Sequence, residues 1–299
     1  SILSGILLSY ITDSKLLLPR YMCLCDKWNK LTNWSNSQFI TDNISHTTDT
    51  SVTYLESNIT DIYGSRKWNT ESISELKQLV DIIIQFKSNK ILYLPFDQPP
   101  GLLLKLLNMP LLRKDLRSVF NINKLIPSYL NSYICVHIRR GDVTPQKNNH
   151  LYVHNQFYID LIDFLLNYTN SNISIAICTQ GPIDWISDNF LANGNLNPRL
   201  KIFTTKYLML NDTDIRDFDI MRSSQLIIGA NSSFSYLAFL LGNSLSFVDI
   251  NRHNDSIDRY SLGHQLESAI SINPDHHSTS FSNELFKPII PLLNNLFIN

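Results

Sequence analysis

Charge is scarce in this sequence. Lys, Arg, Asp and Glu make up 17% of its 299 residues, against about a quarter in an average globular domain. The formal net charge is −1, and with no long basic stripe the electrostatic footprint of a duplex nucleic acid partner is missing. Cysteine is scarcer still. Cys23, Cys25, Cys135 and Cys178 lack zinc-type spacing and imply no disulfide framework. Cys135 and Cys178 lie in apolar runs, where small buried hydrophobes are expected. No apolar run reaches the roughly 20 residues of a spanning helix, and the first residues do not form a charged region followed by a cleavage site. The expectation is a soluble domain without membrane association of its own, cytoplasmic or lumenal with its anchor elsewhere. ILSGILLSYI opens the chain inside an apolar pattern, which leaves room for upstream residues. Neither G-x-x-x-x-G-K nor G-x-G-x-x-G occurs, which disfavours a kinase or a dehydrogenase.

What the chain does have is enough apolar content, 43%, to bury a sizeable core. Its two halves read differently. In the first, ILSGILLSYI has helical spacing, and LLLP (16–19) and KILYLP (90–95) read as short strands. Residues 29–70 are polar and too long for an ordinary connection, so an insertion or an acceptor-facing loop is expected. Helices are predicted over 71–87 and 101–120, the latter interrupted at Pro110. The second half alternates: strand 133–138, helix 156–169, strand 173–178, helix 182–191, strand 200–205, helix 215–224, strand 225–230, helix 232–242 and strand 245–250. Strands alternating with helices indicate βαβ units and a parallel sheet, hence an α/β fold. INKLIPSYLNS reads as a linker, so residues 1–126 are expected to form an N-terminal α/β half and 127–299 a C-terminal half.

Chemistry concentrates at two predicted strand ends, where parallel sheets bind ligands. The first is HIRRGDVTP (137–145). Arg140-Gly141-Asp142 is also the tripeptide of adhesion ligands, but an adhesion site needs a protruding loop, and this one continues an apolar strand directly. Arg139 and Arg140 instead present guanidinium forks suited to phosphate oxygens. Gly141 permits a sharp turn, and Asp142 is placed to hold one arginine. His137 lies within the strand, where a hydrogen-bonded core histidine is expected over a proton carrier. The second is GANSSFSYLAFLLG (229–242), a strand end, a small-residue turn and a helix start. Asn231, Ser232 and Ser233 are good N-cap types, and the first helical turn offers free N–H groups to a phosphate. A third loop, carrying Thr179 and Gln180, is expected to open onto the same edge and to contact a base or ribose.

HIRRGD resembles the first motif of the fucosyltransferase superfamily, the α1,2-, α1,6- and protein O-fucosyltransferases, whose pattern is His-x-Arg-Arg-x-Asp or close to it. DFDIMRSSQLIIGANSSFSYLAFLLG (217–242) is similar to a later block of the α1,2 branch, where an Asp and a Met precede an apolar strand and then Asn-Ser-(Ser/Thr)-Phe-Ser. The resemblance implies a GT-B-like architecture: two Rossmann-like halves, the C-terminal one binding the donor and the N-terminal one facing the acceptor. It implies that Arg139 holds the donor's pyrophosphate and that Ser232, Ser233 and Ser235 lie at the donor site, with Asn231 and Phe234 in the same turn. Tyr236-Leu237 departs from the double tryptophan common after Ser-Phe-Ser in that branch.

The reaction so implied moves a sugar, fucose from GDP-fucose, onto a glycan hydroxyl with inversion. The nucleotide sugar is a co-substrate, and no cofactor or metal is required, because Arg139 and the 231–233 helix start would stabilise the leaving diphosphate. Asp142, Asp13 and Asp97 are the candidates for a base, with Arg139, Asp142 and Asp13 forming the expected catalytic set. Three alternatives stand beside this reading. They are the same clamp serving a UDP-sugar, the Asp212-Thr213-Asp214 triplet holding a divalent ion on the diphosphate, and a non-catalytic glycan- or nucleotide-binding module. For the triplet, capping the helix that follows is the competing explanation.

Overall fold

The computed structural model describes the backbone of four short strands (16–17, 40–41, 52–54 and 91–93), Ser118, and residues 126–205, 213–230, 232–242, 244, 246–250, 269–272, 274 and 281–297. The chain divides into two compact units, Ser1–Asn123 and Lys124–Asn299.

In the first unit β1 (Leu16–Leu17) pairs in parallel with β2 (Ile40–Thr41), and β3 (Val52–Tyr54) with β4 (Ile91–Tyr93). Strands therefore occur where LLLP and KILYLP predict them. The polar stretch 29–70 is not loop throughout, since β2 and β3 fall inside it. Both are runs of β-branched and aromatic residues short enough to escape a periodicity reading. The helices predicted over 71–87 and 101–120 lie outside the described residues, except Ser118, which is helical.

The second unit follows the alternation read from the sequence. In chain order it runs β5 (Tyr133–Ile138), α1 (Asn155–Tyr168), β6 (Ser174–Gln180), α2 (Asp184–Ser187), the hairpin β7–β8 (Leu191–Ala192 and Asn195–Leu196), β9 (Leu200–Thr205), α3 (Thr213–Ser223), β10 (Leu226–Ala230), α4 (Ser233–Leu241), β11 (Ser246–Ile250), β12 (Ala269–Ile272) and α5 (Ile290–Phe297). The helix predicted over 182–191 is one turn of α-helix and one of 3-10 helix before the hairpin. Asn193 and Gly194, with φ of 53° and 77°, make the tight turn there, and the Asn-Gly pair is the sequence signal for it.

Six of these strands form one parallel sheet in the order β12-β11-β10-β5-β6-β9. From the β9 edge that is third, second, first, fourth, fifth and sixth in chain order, the doubly wound Rossmann order. Alternate residues divide the sheet into two faces. Ile134, Val136, Ile138, Ile175, Ile177, Ile228 and Val248 share a core with Phe157, Leu161, Ile162 and Leu165 of α1 and Leu293 of α5. At about 1.5–3 kcal/mol for each large apolar side chain buried, this layer is a main source of stability. The opposite face meets α3 and α4: Tyr133 Oη donates to the Ile220 carbonyl at 2.8 Å, and Phe247 packs against Tyr236 and Phe239.

Register at the sheet centre is tied by Gln225. Its Oε1 accepts from Ser132 Oγ at 2.8 Å and Tyr133 N at 3.1 Å, and its own N–H donates to the Tyr133 carbonyl at 3.2 Å. A slip of one residue would turn every apolar side chain of β5 to the wrong face. The observed register sets His137 beside Gly229 of β10 on one side and Cys178 of β6 on the other. No helix among the described residues is long and apolar enough to cross a membrane.

Candidate functional site at the strand switch point

β5 and β10 are sheet neighbours, yet the chain leaves β5 for α1 on one face and β10 for α4 on the other. Such a reversal leaves a crevice beyond the strand ends, where ligands of doubly wound folds bind. Both sequence signals fall there: HIRRGD follows β5, and the Ser-rich turn follows β10.

Arg139 and Asp142 form a bidentate pair, with Nε to Oδ1 at 2.9 Å and Nη2 to Oδ2 at 2.6 Å. Both side chains are half-buried. Hydrogen bonds from Arg139 hold the Asp142 carboxyl below its ordinary pKa, against a smaller opposing effect of burial. The bidentate carboxylate fixes the orientation of the guanidinium fork at the strand end. Gly141 is half-buried in the bend between them. Asn148 Nδ2 donates to the Asp142 carbonyl at 2.8 Å, closing the loop from the other end.

Arg140 points the other way. Its Nη2 donates to the Val153 carbonyl at 2.7 Å and to Asn155 Oδ1 at 2.9 Å, and its Nη1 to the Arg139 carbonyl at 3.2 Å. The guanidinium carbon lies 4.5 Å from the ring centroid of Tyr152, with Tyr158 and Trp185 at 5.3 and 5.8 Å. None of these partners was singled out from the sequence, because no local pattern links residues 152–158 and 185 to an arginine at a strand end.

His137 is buried. Its ring is 6.0 Å from Phe234, tilted by 58°. Desolvation, and secondarily the Arg139 charge, push its pKa down to about 4, so the imidazole is neutral near pH 7. It is a core histidine, as its place in the strand predicts. The expected hydrogen bond is not seen at Nδ1, which has no partner among the described residues.

At the other strand end Ser232 caps α4, its Oγ accepting from Phe234 N at 3.2 Å. Ser235 is fully buried, and its Oγ donates to the carbonyls of Ala230 at 3.3 Å and Ser232 at 3.1 Å. Its hydroxyl thus shapes the turn from inside. Ser233 opens the helix, and Asn231 lies outside the described residues. Gly229 is obligatory for close packing: a Cβ there would lie 2.8 Å from Ser235 Oγ and 2.9 Å from Phe247 Cζ.

Thr179 lies on the α1 face of the sheet, buried, and donates to the Ile138 carbonyl at 2.9 Å. Gln180 ends β6 on the other face, half-buried, and Gly181 with φ 93° turns the chain away. Asp13, Asp97 and Asp212 lie outside the described residues, while Thr213 and Asp214 open α3. The structure thus brings together His137, Arg139, Asp142 and Phe234, and separates Arg140 from them.

The strand order and the crevice beyond the ends of β5 and β10 define a doubly wound, Rossmann-like domain. The family comparison is more specific. Residues 107–264 match the family model described as Glycosyl transferase family 11, and the chain belongs to that family, which makes it a glycosyltransferase of the fucosyltransferase-like superfamily. The match spans both the HIRRGD and the Asn-Ser-Ser-Phe-Ser signals. No curated protein matches the chain.

Proposed function

We propose that the protein is an inverting, metal-independent fucosyltransferase that takes GDP-fucose as donor and a glycan hydroxyl as acceptor. The observation that carries this reading is the Arg139–Asp142 pair at the end of β5, the strand whose His137 meets the first turn of α4. In this reading the two units form a GT-B-like enzyme, with residues 127–299 holding the donor and 1–126 facing the acceptor. Breaking the sugar–phosphate bond leaves charge on the β-phosphate. Arg139 and the first-turn N–H groups of α4 are preorganised donors for that charge, an arrangement that commonly supplies several kcal/mol.

Asp142 serves in this mechanism by orienting Arg139. Both of its oxygens are engaged and its carboxyl is held acidic, a poor state for accepting a proton. The acceptor's base is then sought at Asp13 or Asp97. His137, Gly141, Gln180, Ser232 and Phe234 complete the donor side, while Thr179 and Ser235 support it through the backbone.

Calorimetric titration with GDP, UDP and their sugar conjugates in EDTA, on the parent and on Arg139→Ala, tests the reading. GDP binding that is lost in the variant, followed by transfer from GDP-fucose with inverted anomeric configuration, is the expected result. UDP preference would keep the clamp and replace the sugar, and transfer abolished by EDTA would return the role of the Asp212 triplet. Binding that is indifferent to Arg139 would remove the clamp altogether.

A further inference from the structure

We infer that Arg140 is a positioning residue that does not touch the donor: it fastens the end of β5 to the start of α1 and acts on the diphosphate only through Arg139. The inference rests on the donor-site reading above. Strand alternation sends consecutive side chains to opposite faces, so Arg139 continues the row of His137 while Arg140 continues the α1-facing row of Ile138. Three hydrogen bonds to protein acceptors hold the Arg140 fork. One acceptor is the backbone carbonyl of Arg139 itself, and the others, Val153 and Asn155, lie at the entry to α1.

The aromatic surround makes this arrangement specific for arginine. The planar guanidinium lies against Tyr152, with Tyr158 and Trp185 close by. Stacking and a fixed fork are properties that lysine lacks. Tyr152 Oη also reaches Asn155 Oδ1 at 3.3 Å, so the residue that receives the fork is itself fixed. An arginine so enclosed immobilises the backbone from which Arg139 projects. Small misplacements of a charge-stabilising group are costly to transfer, which gives a reason for two adjacent arginines with divided tasks.

A double-mutant cycle separates positioning from direct contact, because a residue acting through another adds nothing once that other is gone. GDP binding and donor KM and kcat are measured on the full chain for Arg140→Ala, Arg140→Lys, Arg139→Ala and the Arg139→Ala/Arg140→Ala pair. In the parent background both Arg140 variants are expected to weaken GDP binding about tenfold or more, the scale of a charge-assisted hydrogen bond. In the Arg139→Ala background Arg140→Ala is expected to cause no further loss. Retention of parental affinity by Arg140→Lys, or a further loss on top of Arg139→Ala, overturns the inference and leaves the donor site standing. Arg139→Ala binding GDP like the parent overturns the donor-site reading instead. If Arg140→Ala does not fold, Asn155→Ala keeps both arginines and removes one acceptor of the fork. It is expected to weaken GDP binding in the parent but not in Arg139→Ala, and unchanged affinity in the parent overturns the inference.

Discussion

The imidazole of His137 lies 6.0 Å from the ring of Phe234, and through this contact the end of β5 meets the helix that follows β10. His137 belongs to the arginine motif and Phe234 to the serine-rich one, so two segments remote in sequence share one wall. The contact buries a titratable ring without a partner for Nδ1 among the described residues, which has a consequence for stability against pH.

His137 is held neutral in the fold, with its pKa at about 4 against 6.5 for the free side chain. Between those values the unfolded chain takes up a proton that the folded one refuses. Stability from this group is complete above about 6.5 and is lost as pH falls toward 4, by about 3 kcal/mol at most. Urea unfolding at about pH 7 and about pH 5 should show a steeper acid loss in the parent than in His137→Gln. Equal losses in both proteins would mean that the imidazole is not held neutral.

Asp142→Asn weakens the grip on Arg139 without emptying the loop. Donor KM is expected to rise about tenfold, as for a lost charge-assisted bond, while the pH dependence of kcat keeps the parental shape. Loss of the limb of the kcat profile that reports a base would instead assign the proton transfer to Asp142.

Gly229→Ala forces a methyl against Ser235 Oγ and the Phe247 ring. Overpacking of this kind costs about 1–3 kcal/mol, readable as a lower urea midpoint. Ser235→Ala removes one of the two obstructing side-chain groups, leaving the Phe247 ring, so the double variant should cost less than the sum of its parts.

Arg222 and Asp219 form a buried pair in α3, with Nε to Oδ1 at 2.5 Å. Arg222→Ala removes one member of a buried ion pair and is expected to destabilise the second unit by about 3–5 kcal/mol. A loss below 1 kcal/mol in the same unfolding assay would show that Asp219 is well satisfied by other groups.

The alternation of apolar runs in residues 133–250 was sufficient to read a parallel α/β sheet, because strands buried on both faces show as continuous apolar segments. β9 matches its predicted span, and α1 and β10 shift by a residue. β12 was missed, since Ala-Ile-Ser-Ile is too short to stand out, and so were the two strands within 29–70. The arginine motif and the serine-rich turn were also legible, because glycines, arginines and N-cap residues at strand ends carry their chemistry locally.

Which of two adjacent arginines faces the crevice depends on the pleat at the end of β5 and on what α1 and α2 bring against it. Tyr152, Asn155, Tyr158 and Trp185 converge on Arg140 only in three dimensions. Likewise no spacing rule brings Phe234 to His137, or leaves the serine hydroxyl at 235 inside the turn. By itself the sequence determined the layers, their order of alternation and the two anion-suited strand ends, all of which follow from local periodicity and residue type. The tertiary structure decided the Rossmann strand order, the meeting of those ends at the switch point and the different partners of Arg139 and Arg140, because these depend on contacts between segments remote in the chain.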